Sequence, residues 1–319
     1  MEYVILAASS ATAFILCALA TVLLLPLLKK KQFRQYERKE GPASHKKKSG
    51  TPTMGGIAIV LALMFSALIF CGFSHQTVAM LMLTLFFGGT GFLDDFLKLV
   101  KKQNQGLREW QKLIFQVLTA FVAAWYIDSF CPVDRAVYMP FFDLYVDLGS
   151  LYIPFIMFVM LAMANSVNLT DGLDGLCAGV TAIASTFFIF AGLALSQLPA
   201  ARYAAVICGA CLGFLVFNRY PARLFMGDTG SMALGGALCS VALLTRMEFM
   251  LVIVGFIYVI ETISVLIQMV SFQLFRKRIF KMAPIHHHFE LCGMKETSVV
   301  RMFWAISAVT AITAWLIYR

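Results

Sequence analysis

The sequence predicts an all-α, polytopic integral membrane protein, and three observations carry that expectation. Of its 319 residues, 60% are hydrophobic and only 13% charged, where a soluble chain carries about a quarter charged residues. Residues 3–28 form a charge-free run long enough to cross a bilayer core. Further apolar runs recur near 52–72, 76–93, 113–130, 151–166, 176–195, 203–218, 230–245, 249–272 and 300–318, which makes about ten transmembrane helices by hydropathy.

The first run is too long for a secretory signal peptide and no basic segment precedes it, so it reads as a span that stays in place. Without internal repeats or low-complexity tracts, residues 1–319 read as one transmembrane domain. Its polar connections of interest are 29–51, 94–112, 165–175, 219–229 and 273–299. The odd-numbered connections hold 22 of the 26 Lys and Arg residues. The positive-inside rule therefore places those connections in the cytoplasm and both termini on the extracytoplasmic side. The net charge of +9 suits an anionic leaflet and anionic substrates and needs no nucleic acid to explain it. Most of the eight cysteines lie inside apolar runs. Cys208 and Cys211 have zinc-like spacing but no second pair, and read as small buried residues. Cys71 and Cys131 fall on the same outer side, where a disulfide is sterically conceivable.

Nearly every residue capable of polar chemistry falls on the basic face. In GPASHKKKSGTPTMGG, residues 41–56, glycines and prolines forbid a continuous helix until about Thr53. Thr51 or Thr53 is placed to cap the second span, and His45 and Lys48 to add charge at an anion-binding helix start. In GTGFLDDFLKL, residues 89–99, Asp94 and Asp95 close an apolar run. Adjacent carboxylates repel unless a cation sits between them or one takes up a proton. Either outcome is useful, as a hard oxygen site for Mg²⁺ or as a base. A salt bridge to Lys98 at i,i+4 or i,i+3 accounts for one of them.

In NSVNLTDGLDGL, residues 165–176, Asn165, Asn168, Asp171 and Asp174 recur every third residue, and Gly172 and Gly175 predict a helix break. A polar broken helix end exposes carboxamides, carboxylates and backbone together. In RLFMGDTGSMALGG, residues 223–236, Asp228 opens a span, either as an N-cap or as a metal ligand. In PIHHHFE, residues 284–290, Pro284 interrupts any helix. With no Cys cluster beside them, His286, His287 and His288 point to phosphate and sugar contacts rather than zinc. Just before them, SFQLFRKRIF (271–280) reads as a basic amphipathic segment at the inner interface.

Taken together, from Gly41 to Glu290, these segments resemble the phospho-N-acetylmuramoyl-pentapeptide transferases within the wider family of polyprenyl-phosphate sugar-1-phosphate transferases. FLDDFLK and NSVNLTDGLDG are similar to the wider family; GTPTMGG and PIHHHFE are similar to the muramoyl-pentapeptide branch. The resemblance implies a ten-helix inner-membrane homodimer with a broken ninth helix, whose lower half, near 271–280, helps form a lipid groove. It implies transfer of phospho-MurNAc-pentapeptide from the UDP-linked donor to undecaprenyl phosphate, Mg²⁺ as cofactor, and inhibition by nucleoside antibiotics. Asp228 is expected to hold the metal, with Asp94 and Asp95 sharing it. Asp94 is the expected base, and Lys48, Lys112 and His287 complete the catalytic set. Donor contacts are expected from His45, Asn165, Asn168, Asp171, Gly172, Leu173, Asp174, Phe225, His286 and His288. Two other readings remain: a related N-acetylhexosamine-1-phosphate transferase, and a cation-coupled transporter. The transporter predicts charges near span centres, where only Glu261 lies.

Overall fold

The computed structural model describes residues 1–30, 50–101, 103, 105–131 and 134–319; His45 and Lys48 lie outside the described residues. The chain is a helical bundle in the order α1 (Glu2–Lys30), α2 (Gly56–Phe70), α3 (His75–Val100), α4 (Glu109–Phe130), a hairpin of β1 (Ala136–Met139) and β2 (Leu144–Asp147), α5 (Tyr152–Thr170), α6 (Leu176–Ala194), α7 (Leu198–Asn218), α8 (Gly227–Leu244), α9 (Met250–Val254), α10 (Phe256–Phe275), α11 (Ile285–Leu291) and α12 (Glu296–Tyr318). Among the described residues nine helices are long and apolar enough to cross a membrane, and α2 is a shorter apolar helix. These ten correspond to the ten apolar runs of the sequence.

Helix α8 lies at the centre, with 89% of its apolar window buried, while the windows of α1 and α12 are 22% buried. Its small residues explain the position. A Cβ at Gly235 would collide with the backbone of Ala164 on α5, and one at Gly236 with the carbonyl of Leu83 on α3. Small side chains let helix backbones approach where lipid supplies no hydrophobic drive.

The bundle has two distinct ends. At one end Arg202 at the start of α7 binds Glu2 and the Phe70 carbonyl, His75 meets Tyr126, and Tyr318 packs edge-on against Tyr138 of the hairpin. The start of α1 and the last turn of α12 therefore both lie at this end of the bundle. The opposite end carries the carboxylates and histidines.

Several local expectations are corrected. Helix α3 does not stop at residue 93; it continues to Val100 with Asp94 and Asp95 inside it, where Lys98 one turn on pairs with Asp94 and the start of α8 donates to Asp95. Thr51 and Thr53 do not cap α2. Its N-cap is Gly55, without a side-chain bond, and the Gly55 and Gly56 N–H groups donate instead to the carbonyls of Phe225 and Met226. Asp228 is not the N-cap of α8 but sits inside its first turn, after Met226. Cys71 and Cys131 are both free. The hairpin, with Ala136 opposite Asp147 and Met139 opposite Leu144, was not foreseen, since four-residue strands leave too little alternation to read.

The ninth span is broken at Gly255, between α9 and α10. The segment 271–280 is not one amphipathic helix: α10 ends at Phe275 and Arg276 turns left-handed at φ 54°. The Gln268 side chain accepts from the N–H groups of Ile279 and Phe280 and donates to the Phe280 carbonyl, and Ser271 donates to the Lys277 carbonyl. These bonds fold the returning chain back on the helix end.

At the far end of the bundle, between α8 and α9, Glu248 is buried and neither carboxylate oxygen has a hydrogen-bond partner among the described residues. Burial pushes its carboxyl up to about 8. An acid whose pKa is raised on folding stabilises the fold at low pH and loses that contribution as pH rises towards the folded value. Glu248→Gln is expected to leave the unfolding temperature in detergent unchanged at pH 5 and to raise it at pH 9. An equal effect at both pH values would refute the burial argument.

Candidate active site

Three glycines bring the site together. A Cβ at Gly91 on α3 would overlap the Asp228 carbonyl, and one at Gly56 on α2 would overlap the Gly230 backbone. Gly227, at φ 74°, turns the chain into α8 just before Asp228. The ends of α2, α3 and α8 can therefore meet backbone to backbone, and their side chains converge on one point.

At that point stand Asp94, Asp95 and Asp228, with carboxylate oxygens all within 4.8 Å of one another. Lys98 sits among them, its Nζ 2.5 Å from Asp94 Oδ2, 3.0 Å from Asp228 Oδ2 and 4.0 Å from Asp95 Oδ1. Lys112 at the start of α4 donates to Asp228 Oδ2 at 3.1 Å and to Asn168 Oδ1 at 3.2 Å. Asn168 in turn donates from Nδ2 to Asp228 Oδ1 and to Ser231 Oγ, each at 2.9 Å. Four helices thus contribute to one charged cluster at the membrane edge. Three carboxylates against two ammonium groups leave it one positive charge short of neutral.

The three carboxylates are held differently. Asp95 Oδ1 accepts from the Asp228 N–H, and its Oδ2 from both the N–H and the hydroxyl of Thr229. It therefore caps the start of α8 from a neighbouring helix, satisfying N–H groups that have no partner within α8. Asp94 Oδ1 accepts from the Leu107 N–H at 2.8 Å, so the 105–107 segment folds over it. Among the described residues the Asp228 carboxylate meets Lys98, Lys112, the Asn168 amide and the neighbouring carboxyl of Asp94. The donor set is hard oxygen with no sulfur, the chemistry that suits Mg²⁺. Asp228, its side chain 20% exposed against 5% for Asp94 and 4% for Asp95, is the best placed of the three to ligate.

The remaining expected residues surround this cluster. Asn165 is engaged one turn deeper, its amide exchanging two hydrogen bonds with Gln116 of α4. Asp171 follows the last residue of α5. Burial first, then the charges of Asp228, Asp95 and Asp174, push its carboxyl up to about 8. The predicted helix break is present: α5 stops at Thr170 and Gly175 is left-handed at φ 80° before α6. Within the turn, the Asp174 N–H donates to Glu296 and its Oδ2 accepts from the Ala222 N–H. Gly172 and Leu173 precede it, and Phe225 is held by its N–H to the Pro52 carbonyl.

The histidine triplet lies on α11, where successive side chains point about 100° apart. His286 is buried against Glu261 at 3.0 Å. His287 Nδ1 meets Glu290 at 2.9 Å, and His288 Nδ1 accepts from the Lys281 N–H. The three do not converge on one ligand.

Sequence reasoning missed the roles of Lys98 as the central cation, Thr229 as partner of Asp95, and Ser231 as partner of Asn168. Thr229 stands inside the Gly-Asp-Thr-Gly turn already singled out. Lys98 was visible as an i,i+4 partner, but its second contact, across 130 residues to Asp228, has no local signal.

Comparison with known proteins agrees with this geometry. Residues 77–246 match glycosyl transferase family 4, the stretch that runs from α3 to just beyond α8, and residues 48–60 match signature 1 of phospho-N-acetylmuramoyl-pentapeptide-transferase. The chain is 46% identical to the phospho-N-acetylmuramoyl-pentapeptide-transferase of Thermoanaerobacter sp. (strain X514) over 309 residues, covering 97% of this chain and 96% of that one. It is 47% identical to that of Clostridioides difficile (strain 630) over 305 residues, 95% and 94% of the two chains. With that of Bacillus subtilis (strain 168) it shares 46% over 305 residues, 94% and 93%. Likeness of this extent, over a site assembled from the matched segments, makes the chain a member of glycosyl transferase family 4 and of its phospho-N-acetylmuramoyl-pentapeptide transferases.

Proposed function

We propose that the protein transfers phospho-MurNAc-pentapeptide from UDP-MurNAc-pentapeptide to undecaprenyl phosphate, giving lipid I and UMP for peptidoglycan synthesis. The observation that carries the reading is the cluster of Asp94, Asp228, Lys98, Lys112 and Asn168 at one edge of an apolar bundle. One reactant is held in lipid and the other in water, so the reaction needs a site at the membrane edge. Both reactants are anionic, so the site needs cations. The basic loops favour the bacterial cytoplasmic (inner) membrane with this edge facing the cytoplasm. A homodimer surrounded by membrane lipids, sensitive to nucleoside antibiotics, belongs to the same reading.

The proposed step is direct displacement. An oxygen of the lipid phosphate attacks the β-phosphorus of the donor, which carries the sugar. A new P–O–P bridge forms and the bond to the α-phosphate breaks, releasing UMP. Asp94 accepts the proton of the lipid phosphate, while Lys112, Lys48 and His287 hold phosphate oxygens. Asp228, with Asp94, would hold Mg²⁺, which supplies charge neutralisation on the phosphates. Asp95 keeps Asp228 in place through the start of α8. Asp94→Asn is expected to retain donor binding and lose nearly all turnover. Recovery of a phosphosugar-linked enzyme from donor alone, able to pass its sugar to added lipid, would overturn direct displacement.

The donor's uracil is assigned to a pocket formed by Gly172, Leu173, Asp174 and Phe225, with Asn165, Asp171, His45, His286 and His288 around it. Phe225 offers a ring for stacking. Phe225→Ala is expected to weaken donor and nucleoside inhibitors together by about tenfold, the scale of one lost stacking contact. Unchanged donor KM and inhibitor affinity would move the pocket elsewhere. The whole reading is tested by incubating membranes containing the protein with radiolabelled donor and undecaprenyl phosphate. Label in a lipid-soluble product, released as UMP forms, is expected. Transfer only from a UDP-N-acetylhexosamine would favour the related transferase instead.

A further inference from the structure

Glu261 lies within the membrane-spanning part of α10 and His286 at the start of α11, and both are 0% exposed. Glu261 Oε1 stands 3.0 Å from His286 Nδ1, a close polar contact without the alignment of a hydrogen bond. An unpaired charge in either place would cost several kcal/mol. Buried in this way, the imidazole has no route to a phosphate in the cytosol.

Its other edge points to the donor side. His286 Nε2 has no hydrogen-bond partner among the described residues. It lies against the Cα of Gly172, where a Cβ would overlap the ring. Gly172 opens the turn whose next residues are Leu173 and Asp174, and Asp174 is tied on its far side to Ala222 and Glu296. The turn is therefore gripped from one side by loop hydrogen bonds and supported on the other by the imidazole. The imidazole is itself held by a carboxylate inside the bilayer span. The neighbouring His287 ring, 4.1 Å away, packs on the same support.

We propose that Glu261 is a positioning residue for the donor nucleotide: through His286 it sets the position of the Gly172–Asp174 turn. The inference rests on the uracil pocket assigned above. It gives the mid-span charge a role in donor recognition rather than in ion transport.

The test uses the full-length protein in detergent, with UMP binding measured by calorimetry and KM measured separately for the donor and the lipid phosphate. Glu261→Ala is expected to weaken UMP binding and raise donor KM by about tenfold, the scale of one buried polar contact, with the KM for lipid phosphate within about twofold of wild type. Glu261→Gln keeps the side chain's size and a polar atom against Nδ1 and is expected to restore both values to within about threefold. The double variant Glu261→Ala/His286→Ala is expected to be no worse than His286→Ala alone, since the two act as one unit. Should Glu261→Ala not fold, Glu261→Asp, which withdraws the carboxylate by one methylene, is expected to show the same donor-selective loss. Equal losses for donor and acceptor, additive effects in the double variant, or a Gln variant as defective as Ala would overturn the proposal. Wild-type protein that binds no UMP would instead overturn the pocket itself, and the inference with it.

Discussion

Asp228→Asn is expected to lower kcat by at least about a thousandfold, the scale seen when a site loses a principal electrostatic contact. Asp228 Oδ2 is where Lys98 and Lys112 meet, and Oδ1 is where Asn168 docks. The amide keeps the shape but removes the charge, leaving two ammonium groups facing each other. Binding of a divalent ion should fall with it, which Mn²⁺ titration followed by electron paramagnetic resonance would read without turnover. Asparagine protein that keeps more than a tenth of wild-type kcat, or full Mn²⁺ affinity, would remove Asp228 from the centre of the site.

The second large effect is structural. Gly91→Ala places a methyl group on the backbone of Asp228 and Thr229, atoms that cannot swing away as a side chain tip can. The helices must separate, at a cost of about 3 kcal/mol or more, and Asp95 then loses its grip on the start of α8. Gly89, two residues earlier, has nothing within 4 Å of an added Cβ. Alanine there should stabilise the helix by about 0.5–1 kcal/mol. Opposite shifts in unfolding temperature for these two neighbouring substitutions are the expected result. Equal shifts would mean that the α3–α8 contact is looser than described.

The bundle was readable because apolar length is a local property, and the sidedness because charge bias is additive along the chain. The ligand-bearing segments were readable for a related reason: Asp94, Asp95, Asn168 and Asp228 interrupt apolar runs where an unpaired polar group is costly. What escaped depends on contacts between distant segments. Nothing near Asp95 in sequence indicates that its oxygens serve the N–H groups of Asp228 and Thr229. A run of three histidines suggests a shared target, and only the helix on which they lie turns them apart. A break in the ninth span was expected only from the family resemblance; its place at Gly255 and the stop at Phe275 were hidden, since an apolar run continues through the first and the Gln268 side chain ends the second from within the helix.

The ion pairs of Lys98 differ in reach, and that difference bears on how the protein is made. Its contacts with Asp94 and Asp95 lie within one helix, at i,i+4 and i,i+3, whereas the bonds from these residues to α8 span 130 to 134 residues. A chain that emerges from the ribosome in order delivers α3 to the bilayer long before α8 exists. During that interval the acidic pair would stand at the membrane edge without its later partners. Lys98 travels on the same helix and is present from the start, so the segment enters the membrane with its own counter-ion. Later, when α8 arrives, the same ammonium group extends to Asp228. The lysine thus acts first in insertion and afterwards in assembly.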